Sequence, residues 1–306
     1  MPSYDSVFRA DLFAGKVALI TGGGTGIGRC IAHELASLGC SVVVSGRRPE
    51  PLQLVVSEIT TDGGKCEALP LNIRDDEAVD VAIAELVKRH GRLDFVVNNA
   101  GGQFAADAAT IRPKGWRAVI DTNLNGTWWV SQSAHRHWMQ GQGGAIVNVI
   151  ADMWNGFPGM AHTGAARSAV DNLTKSLAIE WAADGVRVNA VAPGYVLSSG
   201  LHNYPEDIME VFQSLMVKNP AARLGTEAEI SSAVAWLLSA GAAYVTGHTV
   251  RVDGAGSLAK QVMFPLATKS KLPIYNGFHR ASDVPSRFLG DADAGQAKTA
   301  ASEVQP

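Results

Sequence analysis

Short apolar runs that end in glycine or turn residues alternate along this chain with longer stretches whose apolar positions recur every three to four residues. Val17-Ala18-Leu19-Ile20 has no polar position and runs into glycines, the pattern of a strand buried on both faces. Over 26–38, Ile27, Ile31, Leu35 and Leu38 keep a helical period that Gly39 stops. The same cycle predicts strands at 41–44, 67–71, 93–97, 145–149, 186–192 and 249–252. Helices are predicted at 51–61, 75–89, 114–140, 163–183 and 227–239. This alternation predicts the α/β class: a Rossmann-type, doubly wound parallel sheet of about seven strands with helices on both faces. Residues 1–257 read as a single domain. Within it, 197–224 interrupts the last β-α-β unit after a strand's C-terminal end and reads as a substrate lid over the crevice. Residues 258–306 set Phe264, Tyr275, Phe278 and Phe288 among Pro265, Pro273 and Pro285. They read as an irregular extension, packed on a neighbouring subunit as far as Leu289 and mobile beyond.

Composition narrows the function classes. With 46% hydrophobic residues, 18% charged residues and 32 glycines, the chain is that of a folded, enzyme-like protein rather than a disordered one. A formal net charge of −3 without a basic stripe excludes a nucleic-acid partner. No apolar run reaches the roughly 18 residues that span a bilayer. The opening Met1-Pro2-Ser3-Tyr4-Asp5 lacks the charged and apolar regions of a secretion signal. Cys30, Cys40 and Cys66 are odd in number, scattered and without metal spacing, so they read as reduced thiols of a cytosol, and no metal is expected at the site.

Thr21-Gly22-Gly23-Gly24-Thr25-Gly26-Ile27-Gly28 follows one predicted strand and opens a helix. Glycines let backbone approach a pyrophosphate, and the helix N-terminus supplies amide hydrogens and partial positive charge; a plain turn is the competing reading. After the second strand comes Ser45-Gly46-Arg47-Arg48, with no carboxylate for a ribose 2′-hydroxyl before Glu50. Two cations there suit a ribose 2′-phosphate and hence NADPH, unless they form only a solvated surface pair. Asn72 and Ile73 follow the third strand on the adenine side, and Asn98-Asn99-Ala100-Gly101 continues the cofactor wall. Asn123 sits in mid-helix against its propensity.

Together with Asn189-Ala190-Val191-Ala192-Pro193-Gly194, these motifs are spaced as in the short-chain dehydrogenase/reductase superfamily, which the chain resembles. The resemblance implies that Asn123 braces its helix and a proton-relay water. It also implies that Pro193, Gly194 and Val196 meet the cofactor, with Tyr195 near the nicotinamide amide. The superfamily's Tyr-x-x-x-Lys pair is missing. Aligning Leu173-Thr174-Lys175-Ser176-Leu177-Ala178 puts Thr163 at the tyrosine position and Arg167 at the lysine position, while the serine position falls at Ile150 or Ala151. A threonine hydroxyl is too weakly acidic to replace a phenol. Arg167 cannot pass protons, yet it can hydrogen-bond ribose hydroxyls and stabilise negative charge. An i,i+4 ion pair with Asp171 is the alternative.

Gly101-Gly102-Gln103-Phe104, Gly156-Phe157-Pro158 and His162-Thr163-Gly164-Ala165-Ala166-Arg167 resemble trans-2-enoyl-CoA reductases of the peroxisomal type, near the 2,4-dienoyl-CoA reductases. Ser6-Val7-Phe8-Arg9 and Leu12-Phe13-Ala14-Gly15-Lys16 fit as well, so the likeness covers roughly residues 6–257. It implies NADPH-dependent reduction of a conjugated double bond in an acyl-CoA. Hydride addition to the β-carbon gives an enolate, donors or cations near the thioester oxygen stabilise it, and water protonates the α-carbon. His162 is a candidate oxyanion donor or merely a helix cap, and Gln103 a candidate acyl-carbonyl contact. Arg112, Lys114, Lys218 and Arg223 are candidates for CoA phosphates, and Tyr204 lies on the lid. The final Glu303-Val304-Gln305-Pro306 is not a Ser-Lys-Leu-type address, which makes a cytoplasmic location the expectation. Two other functions stand beside this one: a keto reductase or alcohol dehydrogenase that uses Tyr195 or His162 as donor, and a catalytically silent NADP-binding protein. The apolar faces of the helices at 114–140 and 163–183, with Trp128, Trp129 and Trp138, predict core and subunit contacts in a homotetramer.

Overall fold

The computed structural model describes residues 4–199, 214, 216, 218–259 and 269–281. In chain order the elements are β1 (Val17–Thr21), α1 (Gly26–Ser37), β2 (Ser41–Gly46), α2 (Pro49–Thr61), β3 (Lys65–Pro70), α3 (Asp76–His90) and β4 (Phe95–Asn98). There follow α4 (Pro113–Ile120), α5 (Gly126–Ala134), β5 (Gly144–Val149), α6 (Ala161–Glu180), β6 (Val186–Pro193), the short β7 (Val196–Leu197) and β8 (Gly225–Thr226), α7 (Glu227–Leu238) and β9 (Thr249–Val252). Seven strands form one parallel sheet in the order β3-β2-β1-β4-β5-β6-β9.

β1 is buried along its whole length because helices cover both faces, and its alternate residues feed two cores. Ala18 and Ile20 pack with Ile31, Leu52 and Ile230 of α1, α2 and α7, whereas Val17 and Leu19 pack with Ile83, Val130 and Leu177 of α3, α5 and α6. Each such leucine or isoleucine contributes about 1.5–3 kcal/mol on burial. β1 pairs with β2 on one side and β4 on the other, so chain order reverses there. That reversal opens a crevice above the C-terminal ends Thr21, Ser45 and Asn98.

Local chemistry sets the ends of the helices. The Asp75 carboxylate accepts from the Ala78 amide at 3.0 Å to start α3, and Gly91, at φ 69°, ends it after Lys88, Arg89 and His90. Thr226 and Glu229 form a capping box at α7. The predicted single helix at 114–140 is instead α4 and α5 with π-turns at Asp121–Asn125 and His135–Met139. Asn123 explains the first turn: its Nδ2 donates back to the Val119 carbonyl at 2.8 Å and competes with the helical ladder.

Residues 269–281 make contacts within their own chain. Phe278 is buried against Tyr4, Cys30 and Ala228 of its own chain. Arg223 donates to the Pro273 carbonyl at 2.8 Å, and the Thr226 hydroxyl donates to that of Tyr275 at 2.5 Å. Of the lid assigned to 197–224, residues 200–213, 215 and 217, Tyr204 among them, lie outside the described residues. So do 260–268 and 282–306, with Phe264, Pro265, Pro285, Phe288 and Leu289. The three cysteines are free, and burial pushes the Cys66 thiol up to about 12 and raises those of Cys30 and Cys40. Among the described residues, no helix is long and apolar enough to cross a membrane.

Candidate active site

The glycine loop is held from below by two side chains. Thr21 Oγ1 accepts from the amides of Asn99 at 3.1 Å and Ala100 at 3.0 Å, which ties β1 to the end of β4. Thr21 is thus a buried brace beneath the glycine loop. Asn99 Nδ2 donates to the carbonyls of Thr21 and Gly22, both at 3.1 Å, and clasps the loop. Gly22 takes φ 65°, and a Cβ there would lie 2.9 Å from Ala100 Cα. A Cβ on Gly28 would lie 2.2 Å from the Gly22 carbonyl oxygen, so α1 packs directly on the loop. Thr25 takes the N-cap position without a side-chain cap hydrogen bond, and the first-turn amides at Gly26-Ile27-Gly28 have no partner within their helix.

Above the loop lies a cavity of about 260 Å³ lined by Gly22, Gly24, Thr25, Asn72, Ile73, Asn99, Ala100 and Gly101, and by three arginines, Arg47, Arg48 and Arg74. Its lining includes no carboxylate, and the buried Ser45 hydroxyl has no hydrogen-bond partner. Glycine loop, helix N-terminus, guanidiniums and unpaired hydroxyl fit a dinucleotide that carries a ribose phosphate. Arg74 was not singled out in the sequence because it follows a different strand from Arg47. Gly26, Ile27, Gly28, Pro193, Gly194 and Val196 do not line this cavity. Gly194 abuts Asp253, 2.8 Å from a Cβ built on it, and Val196 is buried in β7.

Arg167 and Asn123 meet on the backbone just past β4. Arg167 is buried; its Nη1 donates to the Val149 carbonyl at 2.8 Å, and its Nη2 would lie 2.4 Å from a Cβ on Gly101. Burial lowers its guanidinium to about 10, which still leaves it a cation at neutral pH, and Nε has no hydrogen-bond partner. Asp171 accepts instead from Lys175 at 2.5 Å and Thr249 at 2.6 Å, so the i,i+4 pair with Arg167 does not form. The fully buried Asn123 donates to the Gly102 carbonyl at 2.8 Å and accepts from the Gly102 amide at 3.3 Å.

Thr163 is fully buried, with Oγ1 3.4 Å from His162 Nδ1. The same Nδ1 accepts from the Thr163 amide at 2.9 Å, which assigns the proton to Nε2, a buried atom with no hydrogen-bond partner. The cap position belongs to Met160, and the His162 ring instead stands edge-on to Phe104 with centroids 4.4 Å apart. Gln103 is exposed on the loop after β4. Tyr195 lines a second cavity, of about 520 Å³, with Arg251 and Asp253. Arg223 is engaged by both carboxylate oxygens of Glu229, at 2.8 and 2.6 Å, which removes it from the candidates for a CoA phosphate. Arg112, Lys114 and Lys218 are exposed.

Two features escaped the sequence reading. Asp152, just past β5, has a buried oxygen without a hydrogen-bond partner. Burial and then the charge of Asp253 hold its carboxyl above the ordinary aspartate range. Its only sequence signal is its place after a strand's C-terminal end. The second is a buried polar chain under the site: Asn98 donates to Asn148 at 2.8 Å and Ser131 at 2.9 Å, and Asn148 donates to Thr174 at 2.9 Å.

Comparison with known proteins places these features in context. The family model described as enoyl-(acyl carrier protein) reductase matches residues 22–256. A probable 2,4-dienoyl-CoA reductase, (2E)-enoyl-CoA-producing, of Bacillus subtilis is 40% identical over 242 residues, covering 78% of this chain and 95% of the relative. The 3-oxoacyl-(acyl-carrier-protein) reductase FabG of Staphylococcus aureus is 38% identical over 78% of this chain and 97% of its own. The solved structure of the citronellol catabolism dehydrogenase AtuB of Pseudomonas aeruginosa superposes with a TM-score of 0.75 at 45% identity, covering 83% of this chain and all of that one.

Proposed function

The chain belongs to the short-chain dehydrogenase/reductase family, a family of nicotinamide-dependent oxidoreductases, and from that premise we propose that it reduces a conjugated carbon–carbon double bond in an acyl-CoA with NADPH. The observation that carries the reading is the site's asymmetry. A phosphate loop and arginine-lined crevice are intact, while the proton-donating tyrosine position holds a buried threonine and the lysine position a buried arginine. Relatives named as dienoyl-CoA reductases support the substrate class.

NADPH, when bound, supplies the hydride. Arg47, Arg48 and Arg74 would hold its ribose phosphate, and the N-terminus of α1 its pyrophosphate. Hydride addition to the far end of the conjugated system leaves an enolate whose charge rests on the thioester oxygen. Arg167 would hold the nicotinamide ribose and lend a fixed positive charge, and the Nε2 hydrogen of His162 would be a donor for the oxyanion. The carbon that takes the proton does so from water, so no phenol is required. The domain spans 1–257. Exposed Trp116 on α4 and Ile179 on α6, the latter 79% exposed, support isologous pairing into a homotetramer. A monomeric mass by light scattering would reject the tetramer.

A second reading, reduction of a ketone or oxidation of an alcohol, rests on the likeness to FabG and to AtuB. One assay separates the two. Absorbance of NADPH is followed with crotonyl-CoA, 2-decenoyl-CoA and a 2,4-dienoyl-CoA, then with a panel of ketones and 3-oxoacyl thioesters, and with citronellol in the oxidative direction. Consumption with unsaturated thioesters alone is the expected result; turnover of ketones alone replaces the proposal with the second reading.

A further inference from the structure

We propose that His33, Asp62 and His279 form a divalent-metal site of the zinc class, remote from the dinucleotide crevice, that clamps the C-terminal segment 269–281 to the core. The three residues come from α1, from the cap position after α2, and from the segment itself. Their donor atoms lie within 4.8 Å of one another. His279 Nε2 stands 3.1 Å and His33 Nδ1 3.9 Å from the same Asp62 oxygen. Zinc bonds of about 2.0–2.2 Å need tetrahedral donors roughly 3.3–3.5 Å apart, so small side-chain rotations complete the geometry.

The chemistry of the unused atoms points to a ligand. His279 Nδ1 is buried and makes no hydrogen bond, while Nε2 stands against the Asp62 carboxylate at 3.1 Å. A buried ring nitrogen without a partner is costly unless something engages it. His33 is arranged as metal-binding histidines are. Its Nε2 donates to Glu58 at 3.0 Å, which leaves the Nδ1 lone pair free 3.9 Å from an Asp62 oxygen. Glu58 is itself fixed by Arg29 through bonds of 2.9 and 2.7 Å. Arg280 Nη2 contacts Asp62 Oδ1 at 3.2 Å and Oδ2 at 3.4 Å, so a metal on Oδ2 would leave Oδ1 to Arg280.

Two imidazoles and a carboxylate select zinc, cobalt or nickel over magnesium or calcium, with water completing the shell. Arg29 and Arg280 already balance Glu58 and Asp62, so a dication adds net positive charge, which weakens binding relative to a closed structural zinc site. The ligands are too far apart along the chain for sequence spacing to reveal them.

The test uses full-length, tag-free protein treated with a chelator, then titrated with Zn²⁺ by calorimetry and with Co²⁺ by visible absorption. The expected result is one site per chain, a cobalt d–d band, and slower hydrogen exchange in peptides covering 269–281 once Zn²⁺ is added. His279→Ala and Asp62→Asn should each weaken binding roughly 10- to 100-fold and abolish the exchange effect, and Glu58→Gln should weaken it about tenfold. Unchanged NADPH binding certifies the fold of each variant. No uptake up to millimolar metal overturns the proposal, and so does uptake that neither His279→Ala nor Asp62→Asn alters.

Discussion

The Arg167 guanidinium donates from Nη1 to the main-chain carbonyl of Val149 at 2.8 Å, at the C-terminal end of β5. This bond pins a buried cation beside Gly101, one wall of the dinucleotide crevice. Arg167→Met should therefore lower kcat/KM with an unsaturated acyl-CoA by about 10²-fold or more. It should also lower the melting temperature, because the Val149 carbonyl is left unpaired at a cost of about 1–3 kcal/mol. Arg167→Lys should restore part of the activity. Near-normal turnover by the methionine variant would remove Arg167 from the mechanism.

Thr163→Val should keep turnover within about tenfold, or 1.4 kcal/mol in barrier, since the buried hydroxyl is not the acid. Abolished activity in a well-folded Thr163→Val would make that hydroxyl essential and contradict the proposed chemistry.

Cofactor choice should follow the crevice arginines. Arg47→Asp places a carboxylate where a ribose phosphate would lie, and the ratio of NADPH to NADH affinity should fall by at least about tenfold. Arg74→Ala should lower the same ratio by less. An unchanged ratio in both variants would show that these cations are only solvated.

Gly28→Ala should cost more than tenfold in NADPH affinity, about 1.4 kcal/mol or above. The added Cβ meets the Gly22 carbonyl oxygen at 2.2 Å and forces the loop away from α1. Equilibrium titration of cofactor fluorescence checks it.

Asp94 supplies a pH-dependent term. Burial alone would raise its carboxyl, but hydrogen bonds from Arg92, the Val17 amide and Lys16 outweigh burial and hold it below the ordinary value of 3.8. A carboxyl lowered on folding contributes stability above its unfolded value and loses it as pH falls through the folded one. Asp94→Asn should thus unfold at lower denaturant than wild type at pH 7, and the gap should close below about pH 4. A gap constant with pH would assign the effect to lost packing.

The sequence by itself determined the alternation of strands and helices, the phosphate loop between β1 and α1, the paired Arg47 and Arg48, and the replacement of the Tyr-Lys pair by Thr163 and Arg167. Each is written in periodicity, glycine placement or fixed spacing within a few dozen residues, the range over which backbone geometry dictates what neighbours do. Only the tertiary structure decided that Thr21 braces β4, that Arg167 bonds Val149 and leaves Asp171 to Lys175 and Thr249, and that Arg74 joins the crevice. The buried oxygen of Asp152 and the meeting of His279 with His33 and Asp62 belong to the same class. These depend on the register between strands distant in sequence and on where residues 269–281 cross the sheet's outer helices. Such contacts arise from the packing of whole faces, so no local pattern of side chains encodes them.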